Sequence, residues 1–165
     1  MNTPTLNPRI LGRAENAHRA LLEHLLAGTG LTYQRWVALT LVAVSDQARD
    51  LDVLDRLVSA LKIDQGAARA VIADLIAAGL LNLSGGELRL SVAGRSLYDR
   101  IRTAADGTVA DLYRDIPDGD LEVTGRVLTQ ITARADAKLE ALKQEPARHR
   151  VRKEDSTLAN IQPIG

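Results

Sequence analysis

Gln65 and Arg69 stand four residues apart, so on a helix they share one face, one turn from each other. An arginine guanidinium can make two hydrogen bonds to O6 and N7 of a guanine, and a glutamine amide can do the same with N6 and N7 of an adenine. Gly66 and Ala70 fall on the same open face. Lys62, Arg89 and Arg95 are candidates for phosphate, which needs only a positive donor of sufficient reach. This is recognition chemistry, and the rest of the sequence offers little for making or breaking bonds.

His18 and His24 are six residues apart, which puts them on different helical faces and denies them the i, i+4 geometry of a metal pair. Asp115, Asp118 and Asp120 resemble paired carboxylates, but Pro117 and Gly119 between them mark a turn and a helix cap. There is no phosphate-binding glycine loop and no Gly-x-Ser-x-Gly. No nucleophile, base and orienting group can be assembled, so neither an enzyme nor a metal or cofactor site is expected.

Composition narrows the partners. The 165 residues carry 21 basic and 21 acidic side chains, so no global field steers the chain onto nucleic acid and any contact must come from local patches. Aromatic residues make up 2%, too few for base-stacking platforms. No cysteine is present, which excludes a thiol-based redox sensor and fits a reducing cytosol. The N-terminus lacks a basic patch followed by an apolar run, and no stretch is apolar over ~20 residues. A cytoplasmic protein with no membrane partner is the expectation.

The candidate readers need a scaffold, and residues 51–91 supply one. Leu54, Leu57, Val58 and Leu61 recur at helical spacing, as do Ala68, Val71, Ile72 and Leu75, so two short amphipathic helices are predicted. Asp64 is the N-cap of the second and Gly79 its C′ glycine. The open face of the second helix then holds Gln65, Gly66, Arg69, Ala70 and Ala73, the pattern of a helix-turn-helix. Residues 80–84 and 87–91 alternate on either side of Gly85-Gly86, which predicts a two-residue β-hairpin. A helix-turn-helix followed at once by a hairpin is a winged helix.

On the N-terminal side, Ile10, Ala14, Ala17, Leu21 and Leu25 form one stripe and Leu11, His18 and Leu22 a second beside it. A stripe this wide suits a helix that packs on its own fold and on a second chain. Thr32 caps a helix to about Val44 that is expected to bury Trp36, Val37, Thr40, Leu41 and Val44, and residues 45–50 read as a polar connection. Ser91 caps a helix through Leu97, Ile101 and Leu112, residues 115–120 break it, and a last helix of about 121–142 puts Leu121, Leu128, Ile131, Ala135 and Leu142 on a seam, with Lys138 as its flaw. Beyond Glu145 the run Arg148-His149-Arg150-Val151-Arg152-Lys153 marks a basic tail of the disordered kind. The organisation is thus a single, mainly α domain over 1–165: long helices at 9–28 and 92–145, a winged helix-turn-helix at 31–91, and the tail at 146–165.

The chain resembles MarR-type winged-helix transcriptional regulators over roughly residues 31–142. The resemblance rests on the order of elements and on three phrases: Leu31-Thr32-Tyr33-Gln34-Arg35-Trp36 before the motif, Ala77-Ala78-Gly79-Leu80-Leu81 closing the recognition helix, and Leu90-Ser91-Val92-Ala93-Gly94-Arg95 leaving the wing. It implies that the outer helices dimerise and that the homodimer binds double-stranded DNA at a palindromic operator, with recognition helices roughly 34 Å apart. It also implies repression relieved by a small aromatic or phenolic effector, with Arg13, His18, Tyr33 and Trp36 near the pocket. Where the family carries an Asp-x-Arg at the wing tip, this chain has Gly85-Gly86-Glu87. A second reading therefore stays open, a winged-helix dimer with weak base readout that serves as a protein-interaction module.

Overall fold

Asp64 starts the helix that carries both candidate readers. Its carboxylate accepts the free N–H of Ala67 at 2.9 Å, and the helix runs Gln65–Ala77. Across the computed structural model, which describes residues 5–45 and 48–144, the order is α1 (Pro8–Leu26), α2 (Tyr33–Ala43), α3 (Asp50–Leu61), α4 (Gln65–Ala77), β1 (Leu81–Ser84), β2 (Glu87–Leu90), α5 (Val92–Tyr113) and α6 (Asp118–Gln144). The basic tail at 146–165 and the last residue of the expected 92–145 segment lie outside the described residues. The chain separates after Tyr113 into two compact units, the second beginning at Arg114.

In the first unit the apolar stripes of the helix-turn-helix seal together. Leu54 and Leu57 of α3 and Ala68, Val71, Ile72 and Leu75 of α4 are buried in one cluster with Leu39 and Val42 of α2, Leu81 and Leu88 of the hairpin, and Tyr98 and Ile101 of α5. The turn between α3 and α4 is tight because Lys62 takes a left-handed conformation, φ 55°, a strained choice for a residue with a side chain. Gly79 has φ 69° and ends α4: its N–H donates to the Ile76 carbonyl and the Leu80 N–H to the Leu75 carbonyl, both at 2.9 Å, which satisfies two of the open carbonyls. Gly85 and Gly86 both have positive φ, as a primed two-residue turn requires, and Leu81 pairs with Leu90 and Ser84 with Glu87.

Three expectations are corrected. The stripe of α2 that goes inside is Trp36, Ala38, Leu39 and Val42, whereas Val44, expected to be buried, is 56% exposed at the C-cap. The helix is covered on two sides, by α3 and α4 and by α5, so a single-stripe reading slips by one position. Residues 48–50 are not only a connection: the Leu88 N–H donates to the Ala48 carbonyl at 2.8 Å and the Asp50 N–H to the Gly86 carbonyl at 2.9 Å, adding an edge to the hairpin. Finally, α6 starts at Asp118 rather than near residue 121. The Pro117 carbonyl accepts from the Leu121 N–H, and Asp118 and Asp120 sit in the first turn, where the helix dipole favours carboxylates.

Candidate nucleic-acid interface

The outward face of α4 is prepared by the inward one. With Ala68, Val71, Ile72 and Leu75 buried, the residues between them, Gln65, Gly66, Arg69, Ala70 and Ala73, are all exposed. Gln65 is the first helical residue and Arg69 lies one turn on. Among the described residues Arg69 has no hydrogen bond or ion pair. The carboxylate of α4, Asp74, is occupied: Arg35 of α2 donates to it at 2.7 Å and also reaches the Gly30 carbonyl at 3.3 Å. The helix therefore offers one uncommitted cation, flanked by small side chains.

The expected phosphate contacts are placed less uniformly. Lys62 stands exposed at the α3–α4 turn. Arg89 lies on the hairpin but donates to Glu87 at 2.8 Å. Arg95, in the first turn of α5, lies with its guanidinium 5.9 Å from the ring centre of Tyr98, and with Ser45, Glu87 and Arg89 it lines a hollow of about 330 Å³ at the base of the wing.

The residues expected near an effector are dispersed. Trp36 is 8% exposed and stacks on Tyr98 with ring centres 5.3 Å apart, so it is core. His18 is committed on both ring nitrogens, Nδ1 to the Ala14 carbonyl at 2.8 Å and Nε2 to the Tyr113 hydroxyl at 2.9 Å, tying α1 to the end of α5. Arg13 is exposed on α1. Tyr33 borders two cavities, one of about 360 Å³ shared with Arg19, Glu23, Thr32, Gln34 and Leu61, and another of about 490 Å³ shared with Leu26, Gly28 and Leu31. The cation that faces Tyr33 is Arg19, its guanidinium 4.6 Å from the ring centre. Arg19 donates to the Glu15 carboxylate, and that hydrogen bond, then the carboxylate's charge, holds Arg19 above the usual arginine range, so it is a cation at any working pH. Sequence reasoning named Arg13 and did not single out Arg19, for which the Glu15–Arg19 spacing of i, i+4 was the available signal.

No protein-family model matches the sequence, and no curated protein matches it. Solved structures do match. CouR from Rhodococcus jostii RHA1, bound to p-coumaroyl-CoA, is similar over 74% of this chain and 89% of its own at 18% identity, with a TM-score of 0.65. BpsR of Bordetella bronchiseptica, whose DNA binding is regulated by 6-hydroxynicotinic acid, covers 81% of this chain and 98% of its own at 21% identity and a TM-score of 0.61. The Mycobacterium tuberculosis MarR family protein Rv2887, in complex with DNA, covers 78% and 98% at 19% identity and a TM-score of 0.59. The fold is that of the MarR-family regulators. At these identities the likeness speaks for the MarR fold and not for the partners of this chain. Among the described residues no cluster of His, Cys, Asp and Glu could hold a metal, and no helix is long and apolar enough to cross a membrane.

Proposed function

We propose that this chain is a transcriptional regulator that binds double-stranded DNA sequence-specifically as a homodimer, with α4 in the major groove, and that it represses until a small ligand weakens binding. The observation that carries the reading is the division of α4: one stripe is sealed in the core while Gln65 and Arg69 stand exposed on the other, a donor set matched to purine edges. The fold neighbours support both halves of the proposal, since Rv2887 was solved with DNA, CouR was solved with p-coumaroyl-CoA, and the DNA binding of BpsR is regulated by 6-hydroxynicotinic acid. Exposed Ile10, Leu11 and Leu21 along α1 supply an apolar face for a second copy. For the ligand, the Tyr33 ring can stack an aromatic group and Arg19 can face its negative charge.

The test is selection of bound duplexes from a random pool with the purified full chain, then titration of the recovered duplex against salt and against aromatic acids. The expected result is a palindrome with half-sites about 10 base pairs apart and an affinity that falls steeply with salt. Recovery of no sequence, with or without aromatic acids, would replace this reading with the protein-interaction module, which the Glu87–Arg89 ion pair at the wing favours by occupying the hairpin's own arginine.

A further inference from the structure

The two cavities that border Tyr33 adjoin and differ in kind. They have Glu23, Thr32 and Tyr33 in common. The one of about 360 Å³ adds Arg19 and Gln34 and is the more polar, while the one of about 490 Å³ adds Leu26, Gly28 and Leu31 and is mainly apolar. Leu26 and Leu31 are themselves buried, so the apolar half is floored by core. A molecule that fills both halves is polar at one end and apolar at the other.

The charges beside the polar half do not balance. Glu15, Arg19 and Glu23 follow one another at intervals of four on α1, so they share a helical face. Arg19 donates from Nε and Nη2 to Glu15, at 3.0 and 2.6 Å, and Glu15 lines neither cavity. A guanidinium has five N–H groups, so three stay open at the edge of a plane that lies over the Tyr33 ring. Tyr33 and Gln34 begin α2, where the first N–H groups have no partner within the helix, and the Thr32 hydroxyl takes up only that of Arg35. Glu23 makes no hydrogen bond or ion pair among the described residues. Arg35, the other cation near this end of α2, donates to the Gly30 carbonyl and to Asp74 and lines neither half. Two carboxylates thus stand against one guanidinium, and a ligand with only a negative charge would add a third.

We infer that the ligand of this cleft is an α-amino acid with an aromatic side chain. Its carboxylate takes the open N–H groups of Arg19 and of the first turn of α2, its ammonium pairs with Glu23, and its side chain passes Tyr33 into the apolar half. The inference rests on the small-ligand reading above and deepens it, adding a positive charge to the aromatic acid considered there. Side chains four apart on a helix leave Cβ atoms about 5–6 Å from each other, so Arg19 and Glu23 can meet groups borne on one carbon. An α-amino acid carries its two charges in that way. Glu23, Thr32 and Tyr33, common to both halves, put that carbon at the junction, and the side chain leads from it toward Leu26 and Leu31.

The experiment titrates the full chain, without DNA, with L-phenylalanine and with three molecules that each lack one part of it. These are 3-phenylpropionate without the ammonium, 2-phenylethylamine without the carboxylate and L-alanine without the ring. L-phenylalanine should bind tightest, with each of the others weaker by roughly fivefold, the size of one ion pair in an open cleft. Glu23→Gln tells a binding role from a structural one, because two ligands should move in opposite directions. L-phenylalanine should weaken by roughly the same factor while 3-phenylpropionate, relieved of a repulsive neighbour, tightens. Arg19→Gln should weaken both acids. Binding of 3-phenylpropionate as tight as that of L-phenylalanine would overturn the inference and leave the aromatic-acid reading standing. An equally tight 2-phenylethylamine or L-alanine would overturn it too, as would a Glu23→Gln protein that loses both acids by one factor. Binding of none of the four would remove the small-ligand reading itself, and the inference with it.

Discussion

Gly94 in α5 lies so close to the backbone of Leu80 that a side-chain carbon there would overlap the Leu80 carbonyl oxygen. That carbonyl already accepts from the Ser91 N–H at 3.0 Å, and the Ser91 hydroxyl donates to the Gly79 carbonyl at 2.6 Å while accepting from the Gly94 N–H at 2.9 Å. The end of α4 and the start of α5 are clamped at one point, so the hairpin leaves and returns through a fixed base. The angle of the wing relative to α4 is set by this junction.

Gly94→Ala should therefore destabilise the fold by about 1–3 kcal/mol or more, since the obstruction is backbone and cannot swing away. Gly107, in the same helix, has open space around the position of a Cβ, and Gly107→Ala should stabilise by about 0.5–1 kcal/mol. Denaturant midpoints of the two variants against wild type decide it; equal shifts would mean that the Leu80–Gly94 approach is not tight in solution.

Asp64 offers a second point of control, on the other end of α4. Its carboxylate satisfies the Ala67 N–H, and its loss should cost about 0.5–2 kcal/mol of stability, with Asp64→Asn largely spared. Because Gln65 and Arg69 sit in the first two turns, fraying there should also lower affinity for the selected duplex beyond what removing a negative charge would restore. An Asp64→Ala protein that binds DNA more tightly than wild type would show that charge, not helix order, is what Asp64 contributes.

The sequence made the winged helix legible because each boundary had a local chemical reason. Asp64 before an apolar-periodic run, Gly79 after it, and Gly85-Gly86 between alternating runs each correspond to a cap or a turn that only a few residue types serve. The edge formed by Ala48, Arg49 and Asp50 had no such signal: one bridge has no period to read, and its partner lies 38 residues on. The same limit hid Arg19. Which of several arginines on α1 faces Tyr33 depends on how α1 crosses α2, and helical spacing alone does not fix that crossing. Trp36 shows the converse, since its stacking on Tyr98 of α5 takes it into the core.

The Arg35–Asp74 bond matters through the charge it hides. The side chains are 32% and 54% exposed, so their mutual contribution to stability should be no more than about 0.2–1 kcal/mol in a double-mutant cycle. For DNA the consequence is larger in kind: Arg35→Ala leaves an uncompensated carboxylate on α4 and should weaken binding to all sequences alike, most at low salt. Arg35→Ala with Asp74→Asn should recover the loss. Failure to recover would mean that Arg35 itself touches the DNA.

Arg69 and the basic tail should separate by the kind of loss each produces. If Arg69 makes a two-point contact with a guanine, Arg69→Ala costs about 1–3 kcal/mol on the selected duplex and relaxes one base position in each half-site, leaving weak binding to random DNA nearly unchanged. Removing residues 146–165, which carry Arg148, Arg150, Arg152 and Lys153, should instead lower affinity for selected and random duplexes by the same factor and flatten the dependence on salt, because contacts to phosphate carry no sequence information. Titrations of both variants on both duplexes at several salt concentrations make the distinction. Equal losses on selected and random DNA for Arg69→Ala would reassign Arg69 to the backbone, and base readout would then fall to Gln65 and the alanine methyls beside it.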